Sequence, residues 1–336
     1  MIRLKDIAES AGVSVMTVSK ALRDEPDISN NTKMRIRGIA EQVGYVPNSS
    51  ARGLRTNKTH QFGLVISSLS NPVYIRTFMA IEERAHEMGY EIYVAQTLND
   101  PGREDACIRR LLARQVDGLF IRPVYRPDPN AAIYDELKKQ KTPTVILGHR
   151  ALFCSDFPNV ETDDIVASQS ATEHLLELGH RRIACLTGPP FAPWAQERYE
   201  GYRRALQEHH IDLDENLIFQ AGSTIEEGAS AALQMIDEDS GATALIAAND
   251  LVAIGTASTL LDQGVKIPEN ISVVGFGNTL TAEHFRVPLT TVSQPKYRRG
   301  TAAIESMEQL LAGEVASFKR LTAELVVRKS TSAPPA

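Results

Sequence analysis

Three residues whose side chains can read DNA bases fall on one face of a short predicted helix near the amino terminus. Met16, Thr17 and Lys20 present a thioether, a hydroxyl and a cation within about one helical turn. Such groups reach base edges in the major groove when they lie near the start of a helix. Taken singly, each is more typical of a solvated helix face. The interpretation therefore depends on the helices around them.

Apolar spacing predicts three helices in this region. The first follows the stripe Leu4, Ile7, Ala8 and Ala11 and ends at Gly12. A Gly12–Ser14 turn leads into a second helix from about Val15 to Leu22, with Ser14 as its N-cap and Val15, Val18 and Leu22 facing inward. The third follows Ile36, Ile39, Ala40 and Val43 until Gly44. Two helices joined by a tight turn, supported by a third, are typical of a helix-turn-helix DNA-binding unit.

Charge supports this prediction. Residues 1–60 contain ten basic and six acidic side chains, a net charge of +4, whereas the whole chain carries −6 and the remainder therefore −10. Because affinity for nucleic acids depends on neutralising phosphates, six basic residues are candidate backbone contacts: Lys33, Arg35, Arg37, Arg52, Arg55 and Lys58.

The residue order closely resembles the DNA-binding head of the lactose-repressor/galactose-repressor (LacI/GalR) family. The matching runs are Leu4-Lys5-Asp6-Ile7-Ala8, Gly12-Val13-Ser14, Thr17-Val18-Ser19 and Gly44-Tyr45-Val46-Pro47-Asn48. The similarity continues through Ala51-Arg52-Gly53-Leu54, which resembles the family's hinge helix, and into its effector-binding core. It implies DNA contacts from Lys5, Ser14, Met16, Thr17, Ser19, Lys20, Asn48, Ala51, Arg52, Leu54 and Arg55.

The predicted hinge is too short to be stable alone. Asn48 is a good N-cap, but a helix of about eight residues containing Gly53 is shorter than the roughly 12–15 residues that marginal stability requires. We expect two such segments of a dimer to order on an operator. The resemblance implies that Leu54 is an apolar wedge in the minor groove with Ala51 beside it. The alternative for Leu54 is an ordinary core leucine.

From Phe62 onward, strand-like runs alternate with amphipathic helical patterns, which predicts parallel sheets covered on both faces. The strand runs are 63–67, 91–96, 118–123, 144–147, 183–187, 244–248 and 272–275, and the clearest helical stretches are 75–88, 169–178 and 251–261. This length exceeds one ordinary core, which predicts two similar subdomains. The fold class is therefore α/β: a three-helix head and hinge helix, then two doubly wound subdomains.

The resemblance implies periplasmic-binding-protein-like halves joined by crossing strands near 160–162 and 290–294. The expected boundaries are 1–47 for the head, 48–60 for the hinge and linker, and 61–336 for the core. Within the core, the N-subdomain is expected at about 61–160 and 293–320, and the C-subdomain at about 161–292 and 321–330.

Ligands of such sheets bind beyond the carboxyl ends of the strands, in the cleft between two facing halves. The resemblance implies effector contacts from Ser67, Asn71, Tyr74, Arg122, His149, Trp194, Arg198, Asn249, Gly277 and Gln294. The Arg198 guanidinium can bind two vicinal oxygens at once. Trp194 and Tyr74 are each either a platform for a sugar ring or a packing aromatic. Asp250 is either a site residue beside Asn249 or a cap of the next helix.

Two departures from the family pattern concern charge. Sugar-responsive members commonly carry carboxylates at the positions of His149 and Gly277, and smaller polar residues are frequent at the position of Arg122. Arg122, Arg198 and a protonated His149 are thus predicted to lack an obvious acidic counterpart, which indicates an anionic effector, a sugar acid or sugar phosphate. The alternatives are that Glu161, Asp163 or another carboxylate pairs these arginines, and that the effector is a neutral sugar, a purine or a phosphorylated protein.

Other classes of protein are less well supported. The sequence has no phosphate loop, nucleophile elbow or paired-histidine metal motif, so we expect neither an enzyme nor a cofactor. The three cysteines, Cys107, Cys154 and Cys185, suit buried thiols in a reducing cytoplasm. A sugar-binding transport receptor is the nearest rival, but no apolar signal segment or membrane span is present. The tail lacks leucine heptads, so we expect a cytoplasmic homodimer on a pseudo-palindromic operator in double-stranded DNA.

Overall fold

The computed structural model describes residues 2–45 and 58–335 and divides the chain into two compact units between Thr59 and His60. The first unit contains α1 (Leu4–Ala11), α2 (Val15–Leu22) and α3 (Asn30–Gln42). These bounds confirm the predicted helix-turn-helix order. The predicted hinge helix lies outside the described residues.

Local sequence explains where these helices start and stop. Gly12 ends α1 with a φ of 62°, in the left-handed region that glycine adopts without a side-chain penalty. The Ser14 hydroxyl accepts a hydrogen bond from the Thr17 amide at 3.1 Å, which confirms the predicted N-cap of α2. Ser29 caps α3 in the same way.

The core of the first unit contains Ile7, Val18 and Ile36, all fully buried. The inward position predicted for Val15 is wrong, because this side chain is 44% exposed. An eight-residue helix presents only a narrow strip to its neighbours, and in α2 that strip is centred on Val18 and Ala21.

The second unit contains two six-stranded sheets, which we call the first half and the second half. The first half has the all-parallel order β11-β5-β4-β3-β1-β2. Its strands are β1 (Gln61–Ile66), β2 (Glu91–Gln96), β3 (Gly118–Ile121), β4 (Thr144–Leu147), β5 (Asn159–Thr162) and β11 (Lys319–Leu321). Its helices are α4 (Ile75–Glu87), α5 (Pro101–Ala113), α6 (Ala132–Gln140) and α12 (Lys296–Leu311).

The second half has the order β12-β10-β9-β8-β6-β7, parallel except that β12 runs antiparallel to β10. Its strands are β6 (Ile183–Thr187), β7 (Ile218–Gln220), β8 (Ala244–Ala247), β9 (Ser272–Phe276), β10 (Thr290–Ser293) and β12 (Glu324–Val326). Its helices are α7 (Asp164–Glu177), α8 (Pro193–Glu208), α9 (Ile225–Asp237), α10 (Asp250–Asp262) and α11 (Leu280–Glu283). The doubly wound α/β class predicted for both subdomains is confirmed.

Burial on both faces explains the apolar strands. Phe62, Leu64 and Ile66 of β1 pack in one cluster with α4 and α12, while Val65 packs on the opposite face with Ile108 of α5. Successive side chains of a strand point to opposite faces, so a sheet covered by helices on both sides needs apolar residues at nearly every position.

The chain passes between the halves three times: after β5, after β10, and between β11 and β12. The two crossings expected near 160–162 and 290–294 correspond to the first two passages. Cys107, Cys154 and Cys185 are buried free thiols, as predicted. Within the described ranges, no helix has the length and apolar character that crossing a membrane requires.

Candidate functional site

The outer face of α2 carries the residues predicted to read bases. Met16 is 65% exposed, and Thr17 and Lys20 are partly exposed on the same helix. The Thr17 hydroxyl lies 2.9 Å from that of Ser14, which keeps it at the start of the helix. The Lys20 ammonium pairs with Asp27. A helix start with an exposed thioether and short polar groups is the geometry that a recognition helix needs.

The cations of the first unit differ in how free they are to contact phosphates. The Lys5 side chain is exposed, and its ammonium lies 3.8 Å from the Glu9 carboxylate. Arg23 donates a hydrogen bond to the carbonyl of Ser19, which is another of the predicted DNA contacts. Lys33 does not fit the predicted phosphate contact. Its buried ammonium donates to the Asp24 carbonyl at 3.0 Å and lies 3.3 Å from the Asp24 carboxylate, so its charge is used inside the unit.

Five predicted DNA contacts lie outside the described residues: Asn48, Ala51, Arg52, Leu54 and Arg55. Their roles remain predictions from the sequence.

A cavity of about 390 Å³ opens between the two halves of the second unit. This volume is within the roughly 300–1,000 Å³ typical of small-molecule sites. Nine of the ten predicted effector residues line it: Ser67, Asn71, Tyr74, Arg122, His149, Trp194, Arg198, Asn249 and Gln294. Gly277 is not among the lining residues. Its carbonyl accepts a hydrogen bond from the buried Lys296 ammonium, and without a side chain it has nothing to extend toward the cavity.

Strand ends bring these residues together. Ser67 follows β1, Arg122 follows β3, and Asn249 lies two residues beyond β8. In parallel sheets the carboxyl ends of the strands share one edge, and here the corresponding edges of the two halves face one cavity. Residues distant in the sequence therefore converge on the same space.

Arg198 of α8 is held between two aromatic rings and a carboxylate. Its guanidinium carbon lies 4.7 Å from the centroid of the Trp194 ring and 3.6 Å from that of Phe276. Its Nη2 donates to Asp164 Oδ2 at 3.1 Å, and its Nη1 donates to the Ala248 carbonyl. Burial lowers the pKa of Arg198, while the charge of Asp164 opposes that change. These contacts fix the planar fork in one orientation.

The expectation that Arg198 and His149 lack acidic counterparts is wrong. Asp164, which the sequence reasoning did not single out, pairs with Arg198, and Glu197 lies 3.0 Å from His149 Nε2. The signal for Asp164 was the Asp163-Asp164 pair directly after β5. Glu197 had no local signal, because it meets His149 only through the packing of α8.

Arg122 keeps its place without a carboxylate. Its Nη1 donates to the Tyr125 hydroxyl at 2.7 Å and to the Leu147 carbonyl at 3.4 Å. Among the described residues, no Asp or Glu oxygen lies within ion-pair distance of Arg122. Gly148 allows this arrangement, since a Cβ there would lie 2.3 Å from Nη1, and its φ of 112° also favours glycine.

Arg299 of α12 also lines the cavity, and sequence reasoning missed it. It is only 8% exposed, and its Nη2 donates to the Thr77 hydroxyl at 3.1 Å. Burial and repulsion from Arg122 lower the pKa of Arg299 to about 10. In the sequence, Arg299 is marked only by its place in the basic run 296–299 after β10. This run lies inside a helix, and its spacing does not indicate which of its side chains points toward the cavity.

Several side-chain atoms of cavity-lining residues are covered by protein and have no hydrogen-bond partner among the described residues. They are the donors Arg198 Nε and Arg299 Nε and the acceptors Asp164 Oδ1 and Thr162 Oγ1. Buried polar groups are nearly always satisfied in folded proteins, so a group of unsatisfied donors and acceptors around one cavity is typical of a ligand site.

Asn249 and Asp250 have separate structural tasks. The Asn249 side chain caps α10 by accepting from the Val252 amide at 2.9 Å, so Asp250 is not the cap. Asp250 is buried and accepts from the hydroxyls of Thr279 and Thr291 at 3.0 and 2.6 Å. Burial raises the pKa of Asp250.

The two aromatic candidates show both packing and exposure to the cavity. The Tyr74 hydroxyl accepts from Ser67 Oγ at 3.2 Å, and its ring stacks on Phe78. A Cβ at Gly188 would lie 2.7 Å from the Trp194 ring, so Trp194 packs on that loop while lining the cavity.

His149, Glu161 and Glu197 place their ligand atoms within 4.8 Å of one another, a spacing that could hold a metal ion. However, the Arg320 guanidinium donates to Glu161 at 3.2 Å and to Glu197 at 2.8 Å. A cation of this chain thus already pairs with both carboxylates of this cluster.

Two family models match the sequence. The one described as "Bacterial regulatory proteins, lacI family" matches residues 3–48, and the one described as "Periplasmic binding protein-like domain" matches residues 172–331.

Similar proteins extend along almost the whole chain. The HTH-type transcriptional regulator DegA of Bacillus subtilis is 32% identical over 330 residues, which cover 97% of both chains. The HTH-type transcriptional repressor CytR of Escherichia coli is 30% identical over 334 residues, covering 99% of this chain and 97% of its own. The crystal structure of the Lac repressor dimer bound to operator and the anti-inducer ONPF matches with a TM-score of 0.87 at 28% identity, covering 99% of each chain.

Proposed function

The chain belongs to the LacI family of bacterial regulatory proteins, and from this premise we propose that an anionic, sugar-like effector controls its affinity for operator DNA. It is an effector-regulated DNA-binding transcriptional repressor and not an enzyme. The proposal concerns the chemical class of the effector, a sugar acid or a sugar phosphate.

One observation carries this proposal. Three arginines, Arg122, Arg198 and Arg299, line a single cavity, and within the described residues only Arg198 has a carboxylate at ion-pair distance. Buried cations are stable when an anion compensates them. A carboxylate or phosphate on the effector supplies that compensation, and the guanidinium fork suits both groups.

The rest of the wall suits a polyol. The lining residues Thr162 and Asp164 bring a hydroxyl and a carboxylate to this wall, which can accept hydrogen bonds from hydroxyl groups, and Arg198 brings a guanidinium that can donate them. Trp194 adds an aromatic surface. An effector with several hydroxyls and one acidic group satisfies both kinds of wall residue.

Effector binding controls DNA through the relative position of the two halves. The effector contacts both halves and therefore favours one cleft geometry, which is the differential affinity that allostery needs. We propose that a homodimer transmits this change to the paired hinge segments around residues 48–55. Ordered hinges favour the pseudo-palindromic operator, and separated hinges release it.

The experiment uses Trp194, the only tryptophan of the chain, as a reporter on the cavity wall. Purified full-length protein is titrated with matched pairs: D-gluconate against D-glucitol, and D-glucose 6-phosphate against D-glucose, at constant ionic strength. We expect saturable fluorescence changes with dissociation constants at least about tenfold lower for the anionic member of one pair.

The competing candidate is a neutral sugar, and the neutral Arg198–Asp164 pair is the observation that favours it. Saturable binding to the neutral members alone, or equal affinities within both pairs, contradicts an anionic effector. Isothermal titration calorimetry on the same pairs controls for fluorescence changes that do not arise from binding.

A further inference from the structure

We propose that the acidic group of the effector binds between Arg122 and Arg299 on the first half, and that its hydroxyls bind the Arg198–Asp164 pair on the second half. This inference rests on the anionic effector proposed above and adds an orientation to it. It makes Arg122 and Arg299 the residues that select for negative charge.

The charge of Arg198 is already balanced. Asp164 is 1% exposed and lies 3.1 Å from Arg198 Nη2, and both residues belong to helices of the second half. The pair carries no net charge, and among the described residues Arg198 Nε and Asp164 Oδ1 have no hydrogen-bond partner. An ion pair that still has an unpartnered donor and an unpartnered acceptor suits a hydroxyl group, which can accept one hydrogen bond and donate another.

The other carboxylates on the cavity wall are also engaged. Asp250 accepts hydrogen bonds from the Thr279 amide and hydroxyl and from the Thr291 hydroxyl. Glu227 accepts from the amides of Ser223 and Thr224 at 2.7 and 2.9 Å, within a capping box of α9. Neither carboxylate forms an ion pair with an arginine among the described residues. Asp164 acts on Arg122 and Arg299 only through space, because among the described residues no carboxylate lies within ion-pair distance of either guanidinium.

Arg122 is fixed before any ligand binds. The Tyr125 hydroxyl accepts from Arg122 Nη1 at 2.7 Å and donates to the His149 carbonyl at 2.8 Å. The guanidinium carbon also lies 5.0 Å from the centroid of the Tyr125 ring. The Tyr74 hydroxyl also interacts with Arg122, so two tyrosines hold the guanidinium in place. A donor group that is held in place loses little entropy on binding.

Arg299 is anchored in a comparable way. The Thr77 hydroxyl accepts from Arg299 Nη2 at 3.1 Å and donates to the Lys296 carbonyl at 2.9 Å, which ties α12 to α4. A Cβ at Gly300 would lie 2.4 Å from the Thr77 carbonyl, so the two helices touch directly at this point. In the part of the chain that the structure describes, Arg299 Nε has no hydrogen-bond partner.

The two guanidinium groups repel one another. Repulsion from Arg122 is the second contribution, after burial, to the lowered pKa of Arg299. An anion between them removes this repulsion. A carboxylate or phosphate has enough acceptor oxygens for both forks, whereas a single hydroxyl does not.

The test measures how each arginine contributes to the preference for charge. Binding of D-gluconate and D-glucitol, and of D-glucose 6-phosphate and D-glucose, is measured by calorimetry for the full chain and for Arg122→Gln, Arg299→Gln and Arg198→Lys. The preference is the ratio of the neutral to the anionic dissociation constant. We expect Arg122→Gln and Arg299→Gln each to reduce it about tenfold or more. Arg198→Lys keeps the positive charge but loses the planar guanidinium with its two parallel donors. It therefore weakens the binding of both ligands of a matched pair and leaves the ratio within about twofold.

The outcomes separate this inference from the proposed function. If the unmodified chain shows no preference for anions, the proposed function fails and this inference fails with it. If the unmodified chain prefers anions but only Arg198→Lys reduces the ratio, the orientation is wrong and the anionic effector stands. Circular dichroism checks the folding of each variant. If a Gln variant does not fold, the Lys variant at the same position replaces it and is expected to reduce the ratio several-fold, unlike Arg198→Lys.

Discussion

His149 Nε2 lies 3.0 Å from Glu197 Oε2, and this contact joins the end of a first-half strand to a second-half helix. The same Glu197 oxygen accepts a hydrogen bond from Arg320 of β11 at 2.8 Å. One carboxylate thus connects α8 to two elements of the first half beside the cavity. We call His149, Glu197 and Arg320 the cleft clasp.

The cleft clasp predicts a specific effect of Glu197→Gln. The amide removes one of the three carboxylate charges that pair with Arg320, beside those of Glu161 and Asp163, so the two halves separate more easily. We expect the free energy of unfolding of the second unit to fall by about 1–3 kcal/mol and effector affinity to weaken. Urea unfolding followed by circular dichroism and calorimetric titration measure the two effects.

The matched control for Glu197→Gln is Glu200→Gln on the same helix. Among the described residues, Glu200 pairs only with Arg203 and Arg204, its neighbours on α8, and such exposed pairs contribute about 0.5 kcal/mol or less. Equal losses of stability and effector affinity in the two variants would show that Glu197 has no special role between the halves.

Glu104 predicts a dependence of stability on pH. It is fully buried on α5 and accepts hydrogen bonds from the Val124 amide and the Tyr134 hydroxyl, both at 2.8 Å, and from Arg126. Burial raises its pKa from 4.5 to about 7. Between pH 4.5 and pH 7 the Glu104 carboxyl is protonated more fully in the folded chain than in the unfolded chain. The contribution of Glu104 to the free energy of unfolding therefore falls as the pH rises.

Glu104→Gln removes this contribution. The quantity of interest is the free energy of unfolding of the unmodified chain minus that of the variant. We expect this difference to decrease between about pH 5 and pH 7 and to level off above pH 7. Urea unfolding at several pH values measures the difference, with Glu82→Gln, an exposed position on α4, as control. A difference that does not change with pH would mean that Glu104 does not titrate in this range.

The sequence predicted those features that depend on local spacing. The bounds of α2 followed from the Ser14 cap and the apolar stripe, and β2, β4 and β6 followed from apolar runs between polar turns. In contrast, β7, β11 and β12 contain three residues each, too few to show a period. They form strands because a neighbouring strand offers hydrogen bonds to them.

The same division holds for the cavity. Residues directly after a strand, such as Ser67 and Arg122, could be placed from the strand pattern and the family resemblance. Arg299 could not, because it lies inside a helix whose inward face is decided by packing against Thr77. The partners of Arg198 and His149 likewise depend on how α7 and α8 pack on the second half. The prediction of uncompensated charge was therefore wrong for those two residues, whereas among the described residues Arg122 has no carboxylate at ion-pair distance.

Gly201 predicts a link between helix packing and the cavity. A Cβ at Gly201 would lie 2.2 Å from the Ile165 carbonyl, so Gly201→Ala must push α8 away from α7. We expect a loss of about 1–3 kcal/mol in the free energy of unfolding. Effector affinity should also fall, because α8 carries Trp194 and Arg198. Denaturant unfolding and calorimetry test both expectations.

The control for Gly201→Ala is Gly102→Ala in the first turn of α5. A Cβ at Gly102 would meet only the Asp100 carboxylate oxygen, at an ordinary 3.5 Å. This variant should be neutral or slightly more stable, because alanine loses less backbone entropy than glycine on folding. If Gly201→Ala behaves like its control, α7 and α8 are not packed as closely as the distances indicate.

Replacing Met16 is expected to change DNA specificity without changing the stability of the first unit. Its side chain is exposed on α2, whereas Val18 on the same helix is fully buried. We expect Met16→Ala to weaken binding to a selected operator by about 1–3 kcal/mol while leaving binding to random duplex DNA and the thermal stability of the first unit unchanged. Val18→Ala is the control: it should destabilise the first unit and weaken binding to all DNA, because it removes core packing. Fluorescence anisotropy with both duplexes at one salt concentration measures the binding. A parallel loss on operator and random DNA for Met16→Ala would assign Met16 to non-specific contacts and leave base reading to Thr17 and Lys20.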